Sequence, residues 1–422
     1  MKKIYLLGMA FMLCFSQMQA QDCSNGRYAD EIFTDFTLTS DILYGNNDRY
    51  NGDNIDLFVD VREPEGDTET NRPLIIIAHG GSFLGGSKTG SDVVPLAEEF
   101  AKKGYVTASI SYRIGMNGIP FPGPDDSDAS EAVMRATQDA RAAVRFFRRS
   151  VAEDGNPYGI DPNHIYMAGV SAGGFMALHL AYLDEDAKIP PFIDTTEPGL
   201  AGGVLGESGN PGYPSTVNAI INMAGALGDV DWMEADATPV LSLHGDDDNT
   251  VPFYTEMITL LGTYDIMVVD GSHTIHTRAQ ELGMVDCFKP FWGADHVPHV
   301  NNADYYDTTA TYMTDFLLHF VCDQEFSEDC YKIDGEPNSV TEISEGAVQL
   351  FPNPADNHIF INLSDMRTGN VRVFDLTGKL VHASQFNKSG QLSVDVSAWK
   401  SGMYILQVET DNFTTTKKFV VR

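Results

Sequence analysis

Positive charge is scarce in this chain of 422 residues: 27 Lys and Arg stand against 60 Asp and Glu, a formal net charge of −33. Such an acidic body repels phosphate backbones and anionic bilayers, which argues against nucleic acid and anionic membrane as partners. Cysteine is sparse too, with five in all. One of them, Cys14, falls in an amino-terminal apolar run, Ile4 to Phe15, that follows Met1-Lys2-Lys3. The run is too short to span a bilayer, and Met18-Gln19-Ala20 offers a small residue for cleavage before Gln21. Residues 1–20 therefore read as a secretory signal peptide. Cys14 lacks the small residue that a lipid-anchored leader would place just before its cysteine. Cys23, Cys287, Cys322 and Cys330 remain, and an even count in an exported chain implies two disulfides with three possible connectivities. Cys287–Cys322 with Cys23–Cys330 is the expected pairing, since it would tie the later histidine region to the last helix. Also missing is a calcium loop. The acidic run Asp125-Asp126-Ser127-Asp128 has neither the glycine nor the distal glutamate of that pattern and reads as a solvated loop. No metal or organic cofactor is called for.

What the chain does have is a serine between glycines. Gly169-Val170-Ser171-Ala172-Gly173 follows the apolar run Ile165 to Ala168 and precedes helical spacing from Gly174 to Leu180. That is a strand, a sharp turn and a helix. The helix start turns its free amides and positive dipole end toward any oxyanion formed at the serine. Upstream, the continuous apolar run Arg72 to Ala78 reads as a buried parallel strand and ends in His79-Gly80-Gly81-Ser82-Phe83. Glycines there let backbone N–H groups face a negative oxygen without side chains in the way.

Downstream, the strand Pro239 to Leu243 runs into His244-Gly245-Asp246-Asp247-Asp248, and Gly293-Ala294-Asp295-His296-Val297-Pro298-His299 follows later. A serine hydroxyl becomes a nucleophile when a histidine removes its proton and a carboxylate fixes that histidine's tautomer. The order serine, aspartate, histidine is that of the α/β-hydrolase fold. Asp246, Asp247 and His299 are rivals on residue type. His164, His179, His244 and His276 read as structural.

His-Gly-Gly-x-Phe, Gly-x-Ser-Ala-Gly-Gly, His-Gly-x-x-Asp-x-x-Val-Pro and Gly-x-x-His-x-Pro, in this order, resemble the α/β-hydrolase carboxylesterases. The branch is that of hormone-sensitive-lipase-like and feruloyl-esterase-like enzymes, and the likeness runs from about Asn54 to Phe320. It includes Ile110-Ser111-Tyr112-Arg113 and Gln138 to Phe146, a strand and the helix behind it. The resemblance implies Ser171 as nucleophile, Asp248 as carboxylate and His296 as base, with Asp248 favoured by its spacing to Val251-Pro252. The implied oxyanion donors are the N–H groups of Gly81, Ser82 and Ala172. Ser82 stands where the family often has a third glycine, a change that leaves a backbone donor in place. The implied activity is hydrolysis of carboxylic esters through an acyl-enzyme. Feruloyl or acetyl-xylan esters, lipids and polyesters are all open as substrates. A serine peptidase would want a propeller repeat or an acidic-pair amine anchor, and neither is found in the sequence. A non-catalytic binding protein of this fold would have lost part of the triad.

Two stretches are rich in Pro and Gly: 115–130, with Gly115 to Pro124, after the Tyr112-Arg113 strand, and 185–216, with Ile189 to Phe192 and Gly206 to Pro214, between the elbow helix and the strand at Val217. Both are expected at the carboxyl ends of the strands as the rim of a substrate pocket, with Phe121 and Tyr213 as apolar walls. No large helical cap is evident.

The composition changes after Cys330. Residues 331–345 read as a polar linker, and 346–422 break into short alternating runs, a small β-sandwich following the catalytic domain at 21–330. The tail carries six acids against eight bases, a net +2 that leaves −35 upstream. Leu350-Phe351-Pro352-Asn353-Pro354, Val373 to Lys379 and Lys400-Ser401-Gly402-Met403-Tyr404 resemble the C-terminal sorting domain of bacterial type IX secretion. That resemblance implies the type IX machinery as a partner, with release or attachment at the cell surface.

Overall fold

The computed structural model describes residues 21–326, 330, 348–363, 369–375, 379–386, 390–410 and 413–422. The leader read at 1–20 and the linker read at 331–345 lie outside the described residues. The chain divides into two compact units at 334/335.

The first unit is built on an eight-stranded sheet. Its strands are β1 (Phe36–Asp48), β2 (Asn54–Pro64), β3 (Arg72–Ala78), β4 (Val106–Ile110), β5 (Ile160–Val170), β6 (Ala219–Met223), β7 (Val240–Gly245) and, after a hairpin of β8 (Thr255–Leu260) and β9 (Tyr264–Asp270), β10 (Asp286–Phe291). Their order across the sheet is β1-β2-β4-β3-β5-β6-β7-β10. The six strands from β4 to β10 run parallel, while β1 and β2 are antiparallel at one edge.

The helices are α1 (Val94–Lys102), α2 (Asp126–Glu153), α3 (Ala172–Tyr182), α4 (Ser272–Leu282) and α5 (Ala303–Cys322). Every residue of β3 is buried, as a strand covered on both faces requires. Its alternation divides the core. Leu74, Ile76 and Ala78 join α2, α3 and α4, whereas Ile75 and Ile77 join α1 and α5. This is the α/β-hydrolase arrangement that the motif order implied.

Two expectations are corrected. The acidic run at Asp125 is a helix start. The Asp125 carboxylate accepts the Asp128 N–H at 3.0 Å and the Asp128 carboxylate accepts the Asp125 N–H, a capping box that anchors α2. The cysteines pair as Cys23–Cys322 and Cys287–Cys330, with Cα separations of 6.0 and 4.5 Å. The end of α5 packs on the amino-terminal segment, where Cys23 Sγ also meets the Val321 carbonyl. Cys322 therefore faces Cys23 and leaves β10 to Cys330.

Behind the sheet's carboxyl end lies a buried polar node. The Arg113 guanidinium, with its side chain 1% exposed, pairs with Asp139 and donates to the carbonyls of Asp48, Gly199 and Arg135. These bonds fasten β1, α2 and the loop after α3 to one point.

The second unit holds a three-stranded sheet, β11 (Val348–Phe351), β12 (His358–Leu363) and β15 (Gly390–Asp395), and a four-stranded one, β14 (Leu380–Phe386), β13 (Gly369–Asp375), β16 (Gly402–Thr410) and β17 (Phe413–Val421). The strand pairings are antiparallel, and an isolated parallel bridge joins Ala355 to Val421. Ile359, Ile361 and Val394 from one sheet share a core with Val371, Leu406 and Phe419 from the other. The sandwich read from the sequence is present.

Candidate active site

Four loops leave the carboxyl ends of parallel strands at the same end of the sheet: from β3 at His79, β5 at Ser171, β7 at Asp246 and β10 at Trp292. That end of an open parallel sheet is where ligand-binding loops converge. Register sets Ala78 beside Gly169 and Phe291 beside Gly245.

Ser171 turns at φ 52° and ψ −113°, a left-handed conformation that lifts its hydroxyl out of the strand line. The glycines beside it are demanded by space. A Cβ on Gly169 would overlap the Gly173 carbonyl oxygen, and one on Gly173 would overlap that of Ala78. The Ser171 N–H is secured to the Met223 carbonyl at 2.7 Å, which ties the elbow to the neighbouring strand.

Ser171 Oγ lies 2.9 Å from Nε2 of His296, and Nδ1 of His296 lies 2.6 Å from Oδ2 of Asp248. A carboxylate only accepts, so Nδ1 carries the ring proton and Nε2 is free to accept from the serine. The structure thus brings together the three predicted residues and leaves their rivals aside. Asp246 accepts from the Gly293 N–H, and the Asp247 N–H donates to the Ala294 carbonyl. His299 is buried, makes no hydrogen bond to Ser171, and burial pushes its imidazole down to about 4.

Asp248 is fully engaged. Oδ1 accepts the N–H groups of Thr250 at 2.8 Å and Val251 at 2.9 Å, and Oδ2 also lies 3.1 Å from Nε2 of His244. Burial alone would raise this carboxyl. Hydrogen bonds from His244 and then His296, together with their charge, outweigh that and hold it well below the usual carboxylate range. Nδ1 of His244 in turn sits 2.7 Å from Ser272 Oγ, which accepts from Asn222 at 3.0 Å. The sequence reading took His244 as structural; its one signal was its place four residues before Asp248 at a strand end.

The glycine loop after β3 is fixed from behind. Asp92 accepts the Gly80 N–H at 2.7 Å, Tyr112 donates to the His79 carbonyl at 2.8 Å, and the His79 ring stacks on Tyr112 at 4.3 Å. Among the described residues, the N–H groups of Gly81, Ser82 and Ala172 have no protein acceptor. Unpaired N–H groups beside a nucleophile are the raw material of an oxyanion hole.

A cavity of about 530 Å³ opens at Ser171, Ser82 and Ala172. Its walls are mostly apolar and include Phe83, Phe175, Ile189 to Ile193, Trp232 and the β8–β9 hairpin. Neither predicted wall residue belongs to it. Phe121 is 86% exposed, and Tyr213 turns outward to hydrogen-bond Glu153 at 2.6 Å. An aromatic in a Pro- and Gly-rich loop carries no periodicity to say which way it points. The segment Ile189 to Phe192 does line the cavity, as do Met116, Ala129 and Ser130 of the earlier stretch. The hairpin was missed in the sequence.

Comparison with known proteins places two matches on the chain. Residues 59–227 match the family described as BD-FAE, and residues 349–422 match the Secretion system C-terminal sorting domain. Among curated relatives, human bile salt-activated lipase is 31% identical over 145 residues, covering 33% of this chain and 17% of that protein. A probable carboxylic ester hydrolase, LipM, from Mycobacterium tuberculosis is 25% identical over 240 residues, covering 52% of this chain and 50% of that one. The chain thus spans half or less of the length of these relatives. A propionate-bound thermophilic esterase, Est2, from Thermogutta terrifontis superposes on 70% of this chain and 97% of its own, with 23% identity and a TM-score of 0.46.

Proposed function

We propose that this protein hydrolyses carboxylic esters through a serine acyl-enzyme. The observation that carries this is the chain of contacts Ser171 Oγ to His296 Nε2 at 2.9 Å and His296 Nδ1 to Asp248 at 2.6 Å, set at the mouth of an apolar cavity. The match of residues 59–227 and the named activities of the curated relatives support it.

In the first half-reaction the Ser171 oxygen bonds to the ester carbonyl carbon while its proton passes to His296 Nε2. Asp248 stabilises the imidazolium, and the oxyanion receives the N–H groups of Ala172, Ser82 and Gly81. The carbon–oxygen bond to the alcohol then breaks, and His296 returns the proton to that oxygen. Water repeats the sequence on the acyl-enzyme, releasing the acid and restoring Ser171.

A cavity of this size exceeds what an acetyl group fills and falls in the range of drug-sized ligands. It favours acids with a bulky apolar body, feruloyl or medium-chain, over acetyl. The tail match supports export by the type IX route, with the enzyme acting outside the cell.

The test is hydrolysis of chromogenic esters from acetyl to palmitoyl, and of methyl ferulate, by the full chain and by Ser171→Ala. Turnover by the wild type and its loss in the variant are expected. Turnover at wild-type rate in Ser171→Ala would end the mechanism.

A further inference from the structure

Helix α3 carries Phe175 and His179 four and eight residues beyond Ser171, a spacing that places all three on one stripe. All three line the cavity. At a rise of about 1.5 Å per residue, His179 stands about 12 Å along the helix from the nucleophile. Neither His296 nor Asp248 borders the cavity. The leaving alcohol must lie within reach of His296 to receive its proton, so the cavity, which His296 does not line, is left to the acyl group.

His179 is 6% exposed. Its Nδ1 lies 2.7 Å from the Phe175 carbonyl, which only accepts, so the ring proton sits on Nδ1 and Nε2 presents a lone pair. Burial holds the ring down to about 4, against a smaller upward pull from the Phe175 bond, so the imidazole is neutral at physiological pH. Among the described residues, no protein group donates to Nε2. That nitrogen faces Gly228, itself a cavity residue, and would stand 3.4 Å from a Cβ at that position. The Trp232 ring meets the imidazole edge-on at 5.5 Å. The charged groups in the same wall are engaged. Lys188 bonds Asp184 at 2.7 Å and the Trp232 carbonyl at 3.0 Å, and Asp229 accepts the Asp231 N–H at 2.9 Å.

An acceptor that opens on a binding cavity and has no protein donor is left for a donor on the bound ligand. Resting on the ester-hydrolase reading above, we propose that His179 is a specificity-determining residue whose Nε2 accepts a hydrogen bond from a hydroxyl at the far end of the acyl group. The site then selects acids with an apolar body that ends in an O–H donor. The His179 ring leans back onto the Phe175 carbonyl, so the acyl body is shorter than that rise along α3 by the lean of the side chain and by one hydrogen bond of about 3 Å. Both a hydroxyaryl acid and an ω-hydroxy fatty acid meet that description.

The experiment measures kcat/KM for two matched pairs of methyl esters with the full chain. One pair is para-hydroxyphenylpropanoate against phenylpropanoate, and the other is ω-hydroxyoctanoate against octanoate. The wild type should favour the hydroxylated member by about tenfold or more in at least one pair, and that pair identifies the acyl body. His179→Phe should bring the ratio to one or below, and His179→Gln, which keeps an acceptor, should restore part of it. A wild-type ratio near one in both pairs overturns the proposal whether or not the variants fold, as does a preference that survives His179→Phe. Hydrolysis of the plain phenylpropanoate or octanoate ester by the wild type keeps the ester-hydrolase reading standing in either case. Failure to turn over any of the four esters refutes that reading and this inference with it.

Discussion

Nε2 of His244 lies 3.1 Å from Oδ2 of Asp248, the oxygen that also receives the proton-bearing Nδ1 of His296. One carboxylate oxygen is therefore shared by two imidazoles, and only one of them touches the serine. The second orients the carboxylate, and is itself oriented by Ser272 and Asn222. His244→Phe should lower kcat by about ten- to a hundredfold with KM little changed, because a positioning bond to the charged partner is lost. His244→Gln, which can still donate to Asp248, should recover part of that. Steady-state kinetics of the two variants decide it. A change confined to KM would mean that His244 does not act through Asp248.

Asp248→Asn should cut kcat by about 10⁴-fold, since an amide cannot hold the required tautomer or balance the imidazolium. It also has a stability signature. The folded-state pKa of Asp248 is depressed, so its ionised form adds stability above the unfolded carboxyl value of about 3.9. That contribution disappears as pH falls through the lower folded value. The melting-temperature gap between wild type and Asp248→Asn should hold between about pH 7 and 5 and narrow below about pH 4. A gap that widens on acidification would contradict an ionised, doubly bonded carboxylate.

The nucleophile and glycine loop were legible because their demands are local. A left-handed serine and backbones in contact at Gly169 and Gly173 leave few residue choices, and the sequence displays them. The carboxylate was harder, with three consecutive aspartates. The structure separates them by the turn at Thr250 and Val251, whose N–H groups close on Asp248. The acyl wall was mostly illegible. Thr255 to Asp270 holds two runs of β-branched and apolar residues around a glycine turn at Gly262, signals of a hairpin, yet nothing local says that it lines a cavity. His179 looked like a core residue by every sequence criterion. Its role depends on which ring nitrogen the helix carbonyl occupies. The disulfide pairing was illegible for a similar reason, since spacing says nothing about which strand faces which helix end.

Gly173→Ala should damage the elbow directly. The new methyl would press on the Ala78 carbonyl oxygen, at the root of the loop that bears Gly81 and Ser82. Overpacking of this kind destabilises by about 1–3 kcal/mol and moves backbone. Activity should fall more steeply than stability, because the N–H groups shift relative to Ser171. Paired measurements of melting temperature and kcat test this, and unchanged values for both would mean that the contact relaxes at no cost.

Reduction of the two disulfides should reveal unequal roles. Peptide mapping without reductant should yield Cys23 linked to Cys322 and Cys287 linked to Cys330. The first closes a sequence separation of 299 residues and the second one of 43. Loop-closure entropy alone assigns about 4 kcal/mol to the shorter loop and more to the longer, although native-state effects weaken that dependence. The double variant Cys23→Ser, Cys322→Ser frees the amino-terminal segment and the end of α5, both remote from Ser171. Its melting temperature should drop while ester turnover at room temperature persists. Cys287 lies within β10, the strand that delivers His296, and is 1% exposed. Replacing Cys287 and Cys330 by serine would bury two hydroxyls in an apolar cluster and loosen that strand. This second variant should lose activity at a lower temperature than it loses secondary structure. Coincident loss of both signals would show that β10 holds His296 without help from the Cys287–Cys330 bond.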